Sequence, residues 1–345
     1  MWQSLIDKIA EFNAAINGVV WGWPVIILIL GTGLLLSLRT GFLQVRRFGD
    51  SLKTTIIPAV RSLGAKKQKS DTKLKTVSQF EAFATAISGT VGTGNIIGVT
   101  AAILTGGPGA VMWMWISAFF GMVTNYSENV LGLFYRKKDE DGNLSGGAFY
   151  YIENGLKCRG ILGGLVKILA YAAAIFCLFA AVSMSGVQTN KISGTLAESL
   201  GQAFDVAAGT QAETLVKLLI GIIVAIIAAV IIIGGIKRIG KVASKLIPVM
   251  SLFFMVLALI VVFGNASAIA PSFALIFKNA FGMKQAAGGV LGYTFSVVIK
   301  KGMARGVFSN EAGLGSSVIA HSASETREPV KQGLWGVFEV FFDTF

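Results

Sequence analysis

Histidine occurs once and cysteine twice in the 345 residues, and these scarcities remove several functions at the outset. A zinc hydrolase needs two histidines and a glutamate in the H-E-x-x-H spacing, and a membrane enzyme acting on a metal-bound diphosphate needs paired aspartates. The chain has neither. Cys158 and Cys177 form no spaced pair, and the second lies inside an apolar run, so neither a disulfide framework nor a metal site is supported. No P-loop is present, so nothing in the sequence calls for ATP. The N-terminus "MWQSLIDKIAEFNAAIN" lacks the basic region of a cleaved signal, and the apolar run after it is too long for one. Met1 to Ala15 reads instead as a short amphipathic leading helix. Charge is sparse as well: charged residues make up 14% against 54% hydrophobic, a balance typical of membrane proteins.

What fills the chain is long uncharged runs. Val19 to Leu38, Ile168 to Asn190, Leu218 to Ile236 and Leu246 to Phe277 carry no charge, and about 20 apolar residues suffice to cross a bilayer as a helix. The longest run, Ala82 to Ser127, is cut by the Gly/Pro turn "TGGPGA" at 105–110. The expected architecture is an all-α polytopic membrane protein forming one transmembrane domain. Its spans are expected at 19–38, 80–104, 109–135, 163–190, 214–236 and 246–264, with a discontinuous one at 306–324 and the start of an eighth at 333–345.

The net charge of +12 suits nucleic acid in size but not in placement. Arg39, Arg46, Arg47, Lys53, Arg61, Lys66, Lys67, Lys69, Lys73 and Lys75 cluster directly after the first span, which puts that loop in the cytoplasm and the N-terminus outside. Loops 39–79, 136–162 and 237–245 are then cytoplasmic, and no nucleic-acid partner is implied. Lys278, Lys284, Lys300, Lys301 and Arg305 break the alternation, which a surface helix around Lys300 would accommodate.

The stretch "GTVGTGNIIG", 89–98, admits more than one reading. A dinucleotide loop requires G-x-G-x-x-G after a buried strand, a context absent here. "TVGTG" at 90–94 resembles the carbonyl filter of potassium channels, which leaves an ion channel as the alternative function, although full-length spans flank it. Gly98, Ala101 and Ala102 are small enough to be helix-packing notches. The remaining reading is a deliberate break: Gly89, Gly92 and Gly94 among β-branched Thr90, Val91 and Thr93 lower helix propensity by about 1 kcal/mol per glycine. Backbone opened at membrane depth is tolerable only where it lines a cavity. A second interruption follows in "RGVFSNEAGLGSSVIAHSAS", 305–324, at Asn310, Glu311, Gly313 and Gly315. Paired, glycine-interrupted segments point to the substrate site of an inverted-repeat transporter.

Unwinding at 89–94 leaves a half-helix starting near Asn95, whose free N–H groups and positive dipole suit an amino acid carboxylate. Gly92, Thr93 and Gly94 would supply the donors, with Asn310 and Gly313 contributing from the second break. Carbonyls at Ser88, Thr90 and Val91, with the Asn95 side-chain oxygen, offer hard ligands to sodium.

The strings "GTGNIIGVTAAILTGGPGAVMWMW", "GGAFYYIENGL" and "ARGVFSNEAGLGSSVIAHSASETREPVKQGLWGVFEVFFDT" resemble the sodium:alanine/glycine symporter family over nearly the whole chain after the first span. That resemblance implies a leucine-transporter-type inverted-repeat fold of five helices plus five, preceded by one extra helix. It also implies sodium-coupled uptake of alanine or glycine across a bacterial or archaeal plasma membrane, with no cofactor beyond the coupling ion and no obligate protein partner. Family members continue through about four more helices past "VFFDT", so the second repeat is expected to be mostly absent. In this analogy Ser88 and Val91 form half of one sodium site, Thr90 and Asn95 belong to a site nearer the substrate, and Gln188 corresponds to a pocket glutamine. Gln188 and Asn190 are otherwise plain polar residues at the outer end of a span.

Glu311 is an in-span carboxylate and hence a functional candidate. It could meet the substrate ammonium, hold a cation, or pair with Arg305 in a structural or gating role, the last being favoured. Glu128 reads as a partly solvated residue at the inner end of its span. His321 reads as a hydrogen-bonded structural group, with proton coupling as the alternative. Trp113 and Trp115 read as bundle packing or an outer aromatic belt.

Overall fold

The computed structural model describes residues 2–64, 76–138, 140, 142–156, 160–204, 209–281 and 289–345. Helices dominate: α1 (Trp2–Val20), α2 (Trp23–Arg39), α3 (Leu43–Arg46), α4 (Phe48–Gly64), α5 (Gln79–Thr90), a π-helical turn (Gly94–Gly98) running into α6 (Val99–Gly106), α7 (Ala110–Phe134), α8 (Ala148–Gly155), α9 (Ile161–Phe204), α10 (Gln211–Ile232), α11 (Gly235–Gly264), α12 (Ala266–Ala280), α13 (Gly289–Asn310), α14 (Ser316–Ser322) and α15 (Pro329–Thr344). A two-residue antiparallel ladder, Lys137–Lys138 with Leu144–Ser145, is the one feature outside an all-α reading among the described residues.

By length and composition Ser4–Arg39, Ile161–Ala203, Gln211–Ile232 and Gly235–Gly264 each suffice to cross a membrane, and Gln79–Thr90 with Gly94–Gly106 forms a further pair bent by 48°. Several boundaries differ from expectation. The leading helix extends to Val20 rather than Ala15 and leads through a short turn into α2. The expected 163–190 span is part of a 44-residue helix, about 66 Å at ~1.5 Å per residue. Lys191 does not end it, because that side chain stands exposed on the helix surface. Likewise α11 begins at Gly235, taking in the basic segment expected as a loop, and α13 starts well before 306. Much of the apolar surface of α9, α10 and α11 is open: Phe176, Ile226, Phe253 and Ile260 are all more than half exposed. Such a face suits lipid rather than water.

The core gathers around α7, against which α2, α13, α14 and α15 pack. Met122, Tyr126, Val337 and Val340 form one buried cluster, and Phe83, Ile87, Ile247 and Trp335 another. Lipid tails are as apolar as leucine, so helices in a bilayer associate through close packing rather than through hydrophobic expulsion. Gly302 and Gly306 supply that closeness on α13: an added Cβ would lie 2.6 Å from Trp113 Cβ at the first position and 2.8 Å from Ser117 Cβ at the second.

Two devices fix the breaks relative to this core. Ser78 caps α5 reciprocally with Glu81, and Val77 exchanges backbone hydrogen bonds with Ala323 and Glu325 just beyond α14. Arg136, at the end of α7, donates to the carbonyls of Ser322 (3.0 Å), Ser324 (2.7 Å) and Thr326 (2.6 Å), satisfying the open end of α14. Burial, with the like charge of Arg327 as a lesser cause, lowers the Arg136 pKa from the ordinary arginine range.

Candidate functional site

The first break is real but narrower than expected. Gly89 and Thr90 remain helical, the chain extends at Val91 (φ −77°, ψ 108°), and helical winding resumes as the π turn at Gly94. The second break lies at 311–315, where Glu311 (φ 51°), Gly313 (φ 98°) and Gly315 (φ 83°) all adopt left-handed backbone. Glycine adopts that conformation freely, whereas for glutamate it is strained.

The donors expected to be free at the first break are partly engaged. The Gly92 N–H donates to Asn95 Oδ1 at 2.9 Å, and the Thr93 N–H and hydroxyl donate to Gln188 Oε1 at 3.1 and 2.7 Å. Gln188 therefore does not mark the end of a span; it lies well inside α9 and reaches across to the break. Its amide oxygen occupies the position in which a carboxylate oxygen would find two donors.

Asn95 is the hinge of the site. Its Nδ2 donates to Ser309 Oγ (3.1 Å), to the Asp343 carbonyl (2.9 Å) and to Asp343 Oδ1 (2.8 Å), so one side chain joins the first break to α13 and α15. Asp343 also accepts from Ser309 and Thr344. Neither Ser309 nor Asp343 was singled out from the sequence, although a carboxylate in the apolar "VFFDT" carries the same signal as Glu311.

Of the expected sodium ligands, Thr90 is buried and Ser88 is exposed. Their hydroxyls donate to the carbonyls of Ile87 (3.4 Å) and Thr85 (2.6 Å), which leaves oxygen lone pairs available to a cation. Val91 contributes a carbonyl from extended backbone at the break.

Arg305 and Glu311 do not pair. Arg305 donates to the Gly94 carbonyl and stacks on Phe308 at 4.8 Å, while Glu311 accepts from the Ser316 hydroxyl. The helix carrying Arg305 ends at Asn310 and the backbone turns left-handed at Glu311, so the two side chains find different partners. Gly98 is the notch that admits Arg305, since an added Cβ would overlap the guanidinium. With Arg305 on one carbonyl and Gln188 over the neighbouring amide, the 90–94 stretch is closed by side chains and is not an open carbonyl filter.

The second break has its own surroundings. The Gly313 N–H donates to Glu128 Oε2 at 3.0 Å, and Glu128 is buried, not partly solvated as expected. Asn310 Oδ1 accepts from the Ala312 N–H at 3.1 Å, and its Nδ2 reaches Thr344 at 3.4 Å, so this side chain shapes the turn. Gly92, Thr93, Gly94, Asn95, Gln188 and Arg305 thus meet at one place with Ser309 and Asp343, whereas Glu311 and Gly313 belong to a neighbouring cluster with Glu128 and Ser316. His321 is fully buried among hydrogen-bonding partners. Trp113 packs inside, donating to the Ala280 carbonyl at 3.2 Å.

Known proteins are similar to this chain in sequence. Residues 6–345 match the sodium:alanine symporter family. The chain is 39% identical to the sodium/alanine symporter AgcS of Methanococcus maripaludis, over 98% of its own length and 68% of that protein's. It is 38% identical to the putative sodium/proton-dependent alanine carrier protein YrbD of Bacillus subtilis, over 97% of this chain and 62% of the relative. It is 37% identical to the probable sodium/glutamine symporter GlnT of the same organism, over 95% and 61%. The chain spans roughly two thirds of the length of these relatives. A family match of this extent places the protein among transporters rather than enzymes, and the chain is a multi-pass integral membrane member of the sodium:alanine symporter family.

Proposed function

We propose that the protein couples sodium entry to the uptake of a small neutral amino acid, alanine or glycine, by alternating access around the break at 91–93. The observation that carries this reading is the convergence of backbone donors at Gly92 and Thr93 with Gln188, Asn95, Ser309 and Asp343. The substrate carboxylate takes the place of Gln188 Oε1 on Thr93 and adds the Gly94 N–H at the positive end of the half-helix. Asn310 and Gly313 border the pocket from the second break. Sodium is held by carbonyl and hydroxyl oxygens of Ser88, Thr90 and Val91 and by Asn95, with Asp343 as the nearby negative charge. Glu311 and Arg305 act in gating: Arg305 latches α13 to the Gly94 carbonyl, and Glu311 holds the turn before α14.

In this reading the helices belong to a leucine-transporter-type inverted repeat preceded by one extra helix, with α5 to α11 as the first repeat and α13 to α14 opening the second. The N-terminus faces outward in a bacterial or archaeal plasma membrane, and the segments 39–79, 136–162 and 237–245, the last within α11, face the cytoplasm, consistent with their basic residues. One sodium ion crossing about 100 mV contributes roughly 2.3 kcal/mol, and a tenfold concentration ratio adds about 1.4 kcal/mol. One ion per substrate then sustains an accumulation of several hundredfold. The reading is tested by binding: labelled alanine should bind the purified protein in sodium chloride and not in potassium chloride. Equal binding in both salts would remove sodium from the site, and binding of glutamine in place of alanine would change the substrate assignment.

A further inference from the structure

We propose that His321, Glu339 and Gln332 form a buried proton-binding site between α14 and α15, separate from the positions assigned to sodium and amino acid. Glu339 Oε2 accepts from the Ser317 hydroxyl at 2.9 Å and lies 2.8 Å from His321 Nε2. His321 Nδ1 is hydrogen-bonded to the Gln332 amide nitrogen, and Gln332 Oε1 accepts from the Ser324 hydroxyl at 3.2 Å. His321, Gln332 and Ser324 are 0% exposed and Glu339 is 1% exposed. The other carboxylate oxygen, Glu339 Oε1, is buried without a partner.

Two arrangements satisfy the ring. With the Gln332 amide nitrogen donating to Nδ1, the imidazole is neutral and gives its Nε2 proton to the carboxylate. Glu339 then stands as a buried negative charge with no cation paired to it, a costly state in a bilayer interior. One more proton at Nδ1 makes an imidazolium and turns the pair neutral. The surrounding groups accept that change without losing a partner. A 180° turn of the Gln332 amide presents its oxygen to the new Nδ1–H, and its nitrogen then donates to the Ser324 hydroxyl, which accepts as readily as it donates. A histidine retained only for packing needs one satisfied protonation state; this one has two.

The neighbouring charges leave that role open. Glu128 from α7, Glu311 just past α13 and Asp343 on α15 are carboxylates on which the charge of Glu339 acts. Glu128 is itself hydrogen-bonded by Gly313 and Tyr151 of α8. α5 brings Glu81, which bonds its own N-cap. The cations near this end of α14 include Arg136, whose guanidinium is engaged by the carbonyls of Ser322, Ser324 and Thr326, and Arg327, whose charge acts on Arg136. Because α14 is one half of the broken helix and the Val77 bridge to α5 lies just beyond its end, a proton here bears on the parts that frame the break.

His321 is the only histidine in the chain, so its ring can be observed without assignment. The test is ¹⁵N NMR of histidine-labelled protein in lipid nanodiscs from pH 5 to 8.5, in potassium-only buffer so that sodium binding does not enter. The expected result is a single transition from the Nε2–H tautomer to imidazolium, with a midpoint moved by at least one pH unit in Glu339→Gln. Gln332→Leu, which removes the acceptor for Nδ1–H, should move it in the same direction and serves if Glu339→Gln does not fold. An imidazole that keeps one neutral tautomer throughout would overturn the proposal, as would a midpoint indifferent to both substitutions. Failure of sodium-driven transport would leave this titration untouched, so the two readings fail separately.

Discussion

Replacing Asn95 with alanine removes a side chain that holds three elements at once. It loses the acceptor for the Gly92 N–H and the donor to Ser309 and to Asp343. A net hydrogen bond of the first kind contributes about 1 kcal/mol, and one to a charged carboxylate about 1.5–3 kcal/mol. The site is half-buried, so water compensates part of this loss, and about 2 kcal/mol is the expected effect on the sodium-competent arrangement. At about 1.4 kcal/mol per decade, that is roughly a thirtyfold rise in the sodium concentration giving half-maximal alanine uptake. The assay is labelled-alanine uptake into proteoliposomes across a sodium series, on Asn95→Ala, Asp343→Ala and the double variant. Because one hydrogen bond joins the two side chains, the double variant should fall short of the summed single effects by about 1–2 kcal/mol. Unchanged sodium dependence in a folded Asn95→Ala protein, or full additivity, would refute the reasoning.

Other substitutions probe the frame. Gly98→Ala places a methyl group on the Arg305 guanidinium and should lower Tm and abolish uptake by breaking the latch to Gly94; adding Arg305→Ala removes the overlap and should restore Tm, read by thermal unfolding in detergent, without restoring the latch. Gly306→Leu overpacks the α13–α7 contact and should cost at least about 1–3 kcal/mol, seen as a lowered Tm, whereas Gly221→Leu, with open space around it, should leave Tm nearly unchanged. Arg136→Met strips donors from the carbonyls of Ser322, Ser324 and Thr326 and should lower Tm by several degrees, with Arg136→Lys recovering part of the loss.

The break at 91–93 was legible because it rests on local backbone physics. Closely spaced glycines and β-branched residues weaken a helix wherever it is placed. The positive φ values at Gly313 and Gly315 were foreshadowed in the same way. The helix ends were less legible, since uncharged runs stop at Lys191 and Lys245 while the helices do not: a lysine on a lipid-facing helix can extend its stem and keep its ammonium in the polar layer. Partners were the least legible. Asp343 lies 248 residues from Asn95, and nothing local announces that contact. The expected Arg305–Glu311 pair relied on nearness in sequence, but the helix ends at Asn310 and the left-handed backbone at Glu311 gives the two side chains different partners. Glu128 reads as partly solvated because it stands near the inner end of its span, yet the left-handed turn at Gly313 presents an N–H directly to it.

Coupling itself is the central claim, and the most direct measurement follows both solutes together. Proteoliposomes are given ²²Na⁺ and ³H-alanine outside under an inside-negative potential, and both influxes are recorded over time. The account predicts that alanine accelerates sodium entry, that sodium accelerates alanine entry, and that the two added fluxes keep a fixed ratio as either concentration changes. Sodium entry that proceeds at the same rate with and without alanine would contradict it and return the 90–94 stretch to a conducting role.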